Sequence, residues 1–417
     1  MRTAVIVIGD LGRSPRMQYH AVSLAAAGSD VDLIGLEGAP TVPAVSGNAR
    51  IRCHRLPDRA FAGRATGGVR RFVWGSALRA VGQAARLFWT LMRIPKPDVI
   101  LVQNPPAVPS LSIAWLAARV RGARFVIDWH NLSHTIAAVK VGEGHRAVKS
   151  LARGERRWAK RADGHLAVSQ AMRDWLAREY RVKPVVVYDR PAASFGPPSA
   201  AAASALWSKL SADYKLGATR PPIVVCPTSW TQDEDFDLLL EALERAERTL
   251  RHARTLEAPE VRRDLPLLAL FLTGLGPLRA TFEQRATRRD FSAIAVKTAW
   301  LDPEDYSTFI GMADLGLCLH QSSSGLDLPM KLADLRGAGV PVATYDYSQV
   351  LGEVMETGHE GITFRDPGDL ANLLVSVATR AIASDGPLAK SRAWLQQHPP
   401  QRWDEQWEST ARPVLIP

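Results

Sequence analysis

The chain has 417 residues, 46% hydrophobic and 23% charged, enough apolar material for a large core and too much length for one, so two domains are expected. Lys and Arg number 52 against 42 Asp and Glu, a net charge of +10 that points to an acidic partner. Residues 50–96 carry eleven Arg or Lys against the single acid Asp58, and residues 140–161 carry eight against two, so the charge is local and a uniformly basic nucleic-acid coat is excluded.

The first element, AVIVIGD, reads as a buried strand, and Gly9 and Asp10 break it too early for a signal peptide. It runs into GDLGRSPRMQYHAVSLA, a strand-to-helix loop in which Gly9 and Gly12 would let the backbone approach a ligand, with Arg13 and Arg16 adding positive charge near the helix start. The third glycine of GxGxxG is missing, so no dinucleotide site is expected, and a plain tight turn is the alternative. A second strand, DVDLIGL, follows. Within the basic stretch, residues 70–94 have a helical pattern: Arg79, Arg86 and Arg93 recur every seven residues opposite a broad apolar face with Trp74, Leu78, Val81, Phe88, Trp89 and Met92. Such a helix would lie on an anionic membrane surface, touching it through Arg71, Trp74, Arg79, Arg86, Trp89 and Arg93; a crossover helix packed on its own sheet is the alternative.

Four further strand candidates, PDVILVQN, RFVIDWHN, GHLAVS and PVVVYD, complete a Rossmann-like α/β domain over residues 1–190. In FVIDWHNLSHT, Asp128 and His130 stand at a strand end, where either could serve as a general base, with Asp10 in reserve; capping of the next helix is the alternative. His130 and His134 have the spacing of HExxH without its Glu, so no metal site is expected.

Residues 191–220 lose all periodicity and read as an interdomain linker. The rhythm restarts with PPIVVCPTSW, LPLLALFLTG, FSAIAVKTAW, ADLGLCLHQ and VPVATYD, a second Rossmann-like domain over residues 221–385, followed by a helical tail over 386–417. Strand ends of two such domains would face one cleft. Thr228, Ser229 and Trp230 stand at a strand mouth as ligand candidates, while Thr231 with Glu234 reads as a capping box rather than an acidic metal motif. Gly274, in TGLGP, closes another strand. The stretch LHQSSSGLDLPMKLADLRGAGVPV is the most informative: Ser322, Ser323, Ser324, Gly325 and Leu326 form a donor-rich loop before a helix that Pro329 starts and Gly337 and Gly339 end. That arrangement suits a diphosphate. Lys331 and Asp334 share a helix face, one suited to phosphate and the other to ribose hydroxyls, or else form a surface ion pair.

Cys53, Cys226 and Cys318 are far apart and odd in number, which fits a reducing, cytoplasmic setting. No run of about twenty apolar residues could span a bilayer.

At GDLGRSPRMQYHAVSLA, VQNPPAVPSL, IDWHN, VVVYDRP, TSWTQDEDF, WLDPEDY and ADLGLCLHQSSSGLDLPMK, in that order, the chain resembles the chitobiosyldiphosphodolichol β-mannosyltransferase family. The resemblance implies a GT-B glycosyltransferase with two Rossmann-like domains, acceptor mainly on the first and GDP-mannose mainly on the second, with no metal required. It implies that Ser322 to Gly325 with Lys331 would hold the diphosphate, Asp334 the ribose, and Gly12 and Arg13 the reacting sugar and leaving group. It also implies inversion, which needs one base on the acceptor hydroxyl. The expected partners are GDP-mannose, a lipid-linked polyprenyl diphosphate acceptor and an anionic membrane surface, with no nucleic acid. Eukaryotic members carry an N-terminal anchor, whereas this sequence starts at the first strand, so a peripheral protein on the cytoplasmic face is expected. Family members commonly have Lys where this chain has Leu275, and Arg279 would be the compensating cation. The Arg- and Ala-rich composition points to a bacterial relative with its own acceptor. The alternatives are another nucleotide sugar, a soluble acceptor, or a non-catalytic GT-B subunit.

Overall fold

Seven parallel strands form the first sheet: β1 (Arg2–Asp10), β2 (Asp30–Leu36), β3 (Ile51–Leu56), β4 (Val99–Asn104), β5 (Arg124–Trp129), β6 (Gly164–Ala167) and β7 (Val185–Val186), in the order β3-β2-β1-β4-β5-β6-β7. The second sheet has six: β8 (Ile223–Pro227), β9 (Leu268–Thr273), β10 (Ile294–Ala299), β11 (Leu315–Cys318), β12 (Val342–Tyr345) and β13 (Gly361–Phe364), in the order β10-β9-β8-β11-β12-β13. The computed structural model describes residues 1–57, 69–217, 219–256, 265–380 and 387–416. Central strands such as β8 and β9 are buried along their whole length, because crossover helices cover both faces of a parallel sheet. That is why they read as unbroken apolar runs.

Two strands escaped the sequence reading. β3, IRCHRL, is an edge strand with Arg52 and Arg55 exposed, and its charges count toward the basic stretch 50–96 without belonging to the helix in it. β13, GITF, is only four residues long. The basic stretch 50–96 is therefore not one feature: Arg50 pairs with Asp30 and Arg55 donates to the Ala39 carbonyl, both around β3, while a separate helix runs Val69–Arg93.

The chain divides into two compact units, one of Met1–Asp189 with Trp403–Pro417 and one of Arg190–Arg402. The stretch 191–220 is not a bare linker, since it carries a helix, Ala200–Tyr214, whose Leu206, Trp207 and Leu210 are buried within the second unit. The tail 386–417 is split. Its helix Pro387–Gln397 stays with the second unit, where Arg392 donates to the Ala313 carbonyl. The segment from Trp403 joins the first unit's core through Trp403, Trp407, Ala411 and Leu415, a stripe repeating every four residues.

Candidate active site

In the first unit, polar residues gather at the carboxyl ends of β1, β5 and β7, where Asp10, Asp128 and Asp189 respectively stand at or just beyond the strand end. Asp10 accepts from the amides of Gly12 and Ala39 and faces the Arg13 guanidinium at 3.3 Å. Its carboxylate is thus a turn cap, which corrects the reserve-base reading. Gly12 is required by the chain itself, since a Cβ there would lie 2.4 Å from the carbonyl oxygens of Ala39 and Pro40.

Arg16, expected to greet a ligand, is fully buried. It forks onto both oxygens of Asp128 at 2.7 and 2.8 Å and donates to Asp189 Oδ1 at 2.8 Å and to the Val187 carbonyl at 2.9 Å. Burial raises the Asp128 pKa, but the charge of Arg16 and hydrogen bonds from His20 and Arg16 outweigh it and hold the carboxyl well below its usual range. A carboxylate so engaged is a poor proton acceptor, so Asp128 is corrected from base to structural anion. His130 differs. It is partly exposed, and its Nε2 lies 3.6 Å from Asp189 Oδ2. Asp189 is itself held ionised: burial opposes this, while Arg16 and His130 lower its pKa.

In the second unit, the loops after the neighbouring strands β9, β8 and β11 come together. Trp230 is not a ligand candidate, since it is buried against Phe236 with ring centroids 4.8 Å apart and donates to the Gly274 carbonyl. Gly274 has φ +101°, and a Cβ there would lie 2.0 Å from the Thr228 carbonyl. The capping-box reading is also corrected, because Asp235 caps the Phe236–Leu256 helix through the Leu238 amide. Glu234 instead turns inward, where it accepts from Thr228 Oγ1 at 2.5 Å and the Ser229 amide at 3.0 Å and pairs with Lys331. Burial works against charge on Lys331, but Glu234 keeps its pKa raised.

The serine loop is held by an acid the sequence reading passed over. Asp327 Oδ1 accepts from Ser322 and Ser324, and Asp327 Oδ2 faces His320 Nε2 at 3.0 Å, whose Nδ1 meets Asp233 at 3.0 Å. Burial disfavours charge on His320, yet the two carboxylates push its pKa up to about 9. Ser322 Oγ also accepts from the Gly325 amide and Ser324 Oγ from the Leu326 amide, so the loop is shaped by its own hydroxyls. Ser323 lies inside this loop. Lys331 opens the Met330–Gly337 helix as expected, with Asp334 one turn on and near Tyr306. Arg279 is engaged by Glu283 and Thr298, so it does not replace a cation at Leu275. Asp189, His320 and Asp327 were missed, and Arg16 and Glu234 were given other tasks, because each acts through a partner distant in sequence or a neighbour with no motif of its own.

Of the expected membrane residues, the side chains of Arg71, Trp74 and Arg79 lie outside the described residues. On the rest of that helix Leu87 and Leu91 are buried, whereas Trp89 is 57% exposed with the Arg93 guanidinium 4.8 Å over its ring, and Arg86 is partly exposed. No helix among the described residues is long and apolar enough to cross a membrane.

The Glycosyl transferase 4-like domain family matches residues 12–190. A chitobiosyldiphosphodolichol β-mannosyltransferase of Mus musculus is 36% identical over 99% of this chain and 88% of its own length. The chain belongs to the chitobiosyldiphosphodolichol β-mannosyltransferase family. Another relative of similar extent, the UDP-glycosyltransferase TURAN of Arabidopsis thaliana, is 34% identical over 99% of the chain and 97% of its own length. Among solved structures, Anabaena Alr3699/HepE in complex with UDP-glucose aligns over 99% of this chain and 98% of its own with a TM-score of 0.67 at 13% identity, a likeness of fold. This member of the β-mannosyltransferase family is a glycosyltransferase of GT-B architecture.

Proposed function

We propose that the protein transfers mannose from GDP-mannose to a lipid-linked, polyprenyl diphosphate glycan acceptor, inverting the anomeric carbon to form a β-mannoside. The observation that carries this is the full-length identity to relatives bearing that name. The new bond joins the acceptor oxygen to the anomeric carbon as the bond from that carbon to the GDP oxygen breaks; the acceptor proton goes to a base and the diphosphate leaves as an anion.

His130 is the base in this reading, oriented by Asp189, because its partly exposed ring meets an anchored carboxylate while Asp128 is consumed by Arg16. The serine loop, Ser322 to Leu326, with Lys331 holds the diphosphate, Asp334 the ribose, and Thr228, Ser229 and Gly274 line the same strand mouth. Gly12 and Arg13 belong near the leaving group. The Val69–Arg93 helix, with Arg86, Trp89 and Arg93, contacts an anionic membrane from the cytoplasmic side. The Arabidopsis relative, a UDP-glycosyltransferase by name, favours one second reading, a UDP-sugar donor.

Product analysis with GDP-mannose and UDP-sugars, each offered with polyprenyl diphosphate chitobiose, decides between them. An inert GDP-mannose overturns the donor assignment, and an α-linked product overturns inversion. His130→Ala should lower kcat by about a hundredfold or more with stability unchanged, whereas Asp128→Asn should lower stability and activity together.

A further inference from the structure

The second basic stretch has no role in the reading above. It forms the Arg146–Ala159 helix, on which Arg146, Lys149, Arg153 and Arg156 recur at alternating steps of three and four and so share one stripe. All four are exposed, and among the described residues none of them forms an ion pair. The helix's acid, Glu155, points the other way, fully buried against Asn104, the Ser133 amide and His134. The nearest acids in sequence outside the helix are Glu143 and Asp163, and the latter accepts from the Phe125 amide.

The helices packed beside this one carry exposed apolar residues. The Ser110–Arg121 helix packs against both the Arg146–Ala159 and Val69–Arg93 helices, and the Ser133–Val141 helix packs against Arg146–Ala159. Leu116 and Val120, one turn apart on the first of these, are 40% and 61% exposed, and Val139 and Val141 on the other are 66% and 50% exposed. Trp115 and Trp158 meet at 5.2 Å, with the Arg161 guanidinium 5.6 and 5.5 Å from their rings. Unpaired cations alone would suit any polyanion. Exposed aliphatic side chains on the helices beside them gain nothing from a phosphodiester backbone but gain from entering an acyl boundary, and tryptophan suits the headgroup level between.

We propose that the Arg146–Ala159 stripe, with the exposed apolar residues of the two helices beside it, is a footing on an anionic phospholipid bilayer, separate from the Val69–Arg93 helix. The proposal rests on the membrane reading above. It makes the first unit's attachment two-sited: lipid phosphates take the four cations while the valines and Leu116 enter the boundary.

The test is flotation of the full chain with phosphatidylcholine vesicles with and without phosphatidylglycerol, across a salt series. Wild type should float only with phosphatidylglycerol, less so as salt rises. The combined variant Arg146→Gln, Lys149→Gln, Arg153→Gln, Arg156→Gln should bind about a thousandfold more weakly while turning over a short-chain, water-soluble acceptor at the wild-type rate. Arg→Lys at the three arginines should retain binding. If the Gln variant floats like wild type while Arg86→Glu, Arg93→Glu does not, this footing is wrong and the membrane reading survives. If wild type ignores both vesicles, both fall; if it then binds duplex DNA through the same four residues, the surface is a nucleic-acid site.

Discussion

Trp407 donates its indole N–H to His20 Nδ1 at 3.0 Å across 387 positions of chain. Accepting at Nδ1 leaves the proton on Nε2, which lies 3.4 Å from Asp128 Oδ2. Burial pulls the His20 pKa down against the attraction of Asp128, so the ring is a neutral spacer behind the Arg16–Asp128 pair. The C-terminal segment is thereby part of the first unit's polar core. Ending the chain at Arg402 should uncover the faces under Trp403 and Trp407, each worth about 3–5 kcal/mol, out of a typical total of about 5–15. Urea unfolding should show the first unit unfolded or severely weakened. Trp407→Phe should cost less, about 1–3 kcal/mol, mainly from the unsatisfied His20 nitrogen. A truncated chain with an unchanged urea midpoint would refute this.

A second prediction concerns the strand mouth of the second unit. At Gly274 a Cβ would collide with the Thr228 carbonyl and the backbone has φ +101°, so Gly274→Ala meets both a clash and a strained conformation. Gly28 has φ +86° with nothing within 4 Å of a built Cβ, which isolates the conformational cost. Gly28→Ala should cost about 1 kcal/mol, and Gly274→Ala several times that with weaker nucleotide binding. Equal urea midpoints for the two variants would mean that the Thr228 loop yields freely.

Both sites bear on what a sequence exposes. Strand-end positions were legible: Asp128, His130, Thr228 and Gly274 all stand where apolar runs stop, because parallel strands must end in polar loops. The start of the Met330–Gly337 helix was legible from Pro329. Pairing was not. Arg16 and Asp128 are 112 positions apart, Glu234 and Lys331 97, and each was assigned a local task that its distant partner prevents. Thr231 with Glu234 satisfied the capping-box spacing, yet burial beside Lys331 offered that carboxylate a charge-assisted bond that a cap could not match. Trp230 looked like a mouth residue because the apolar helix face that covers it begins six residues later.

Glu234 gives the third prediction. It fixes Thr228 and Lys331 together, so Glu234→Gln should leave the loop folded while freeing the lysine. The affinity for GDP, read by calorimetry, should fall about tenfold, with Lys331→Met giving a comparable loss and the double variant little more, as expected for residues acting as a unit. Additive losses would separate the two residues.

The last prediction is a pH dependence seated on His320. Its folded pKa of about 9 lies above the ordinary 6.5, so folding favours the protonated ring. Its contribution is fully present below pH 6.5 and lost as pH rises toward 9. Asp233 behaves oppositely: burial opposes ionisation, but His320 holds its carboxyl well below the ordinary 3.8, so its contribution is present above 3.8 and lost as the solution is acidified further. The shift on His320 corresponds to at most about 3 kcal/mol. Wild-type stability in urea should decline between pH 6.5 and 9, and GDP binding should decline with it, because Asp327 would lose the ring that steadies it beneath Ser322 and Ser324. His320→Gln should start lower and stay nearly flat over that window. Parallel declines in wild type and variant would assign the titration to another group.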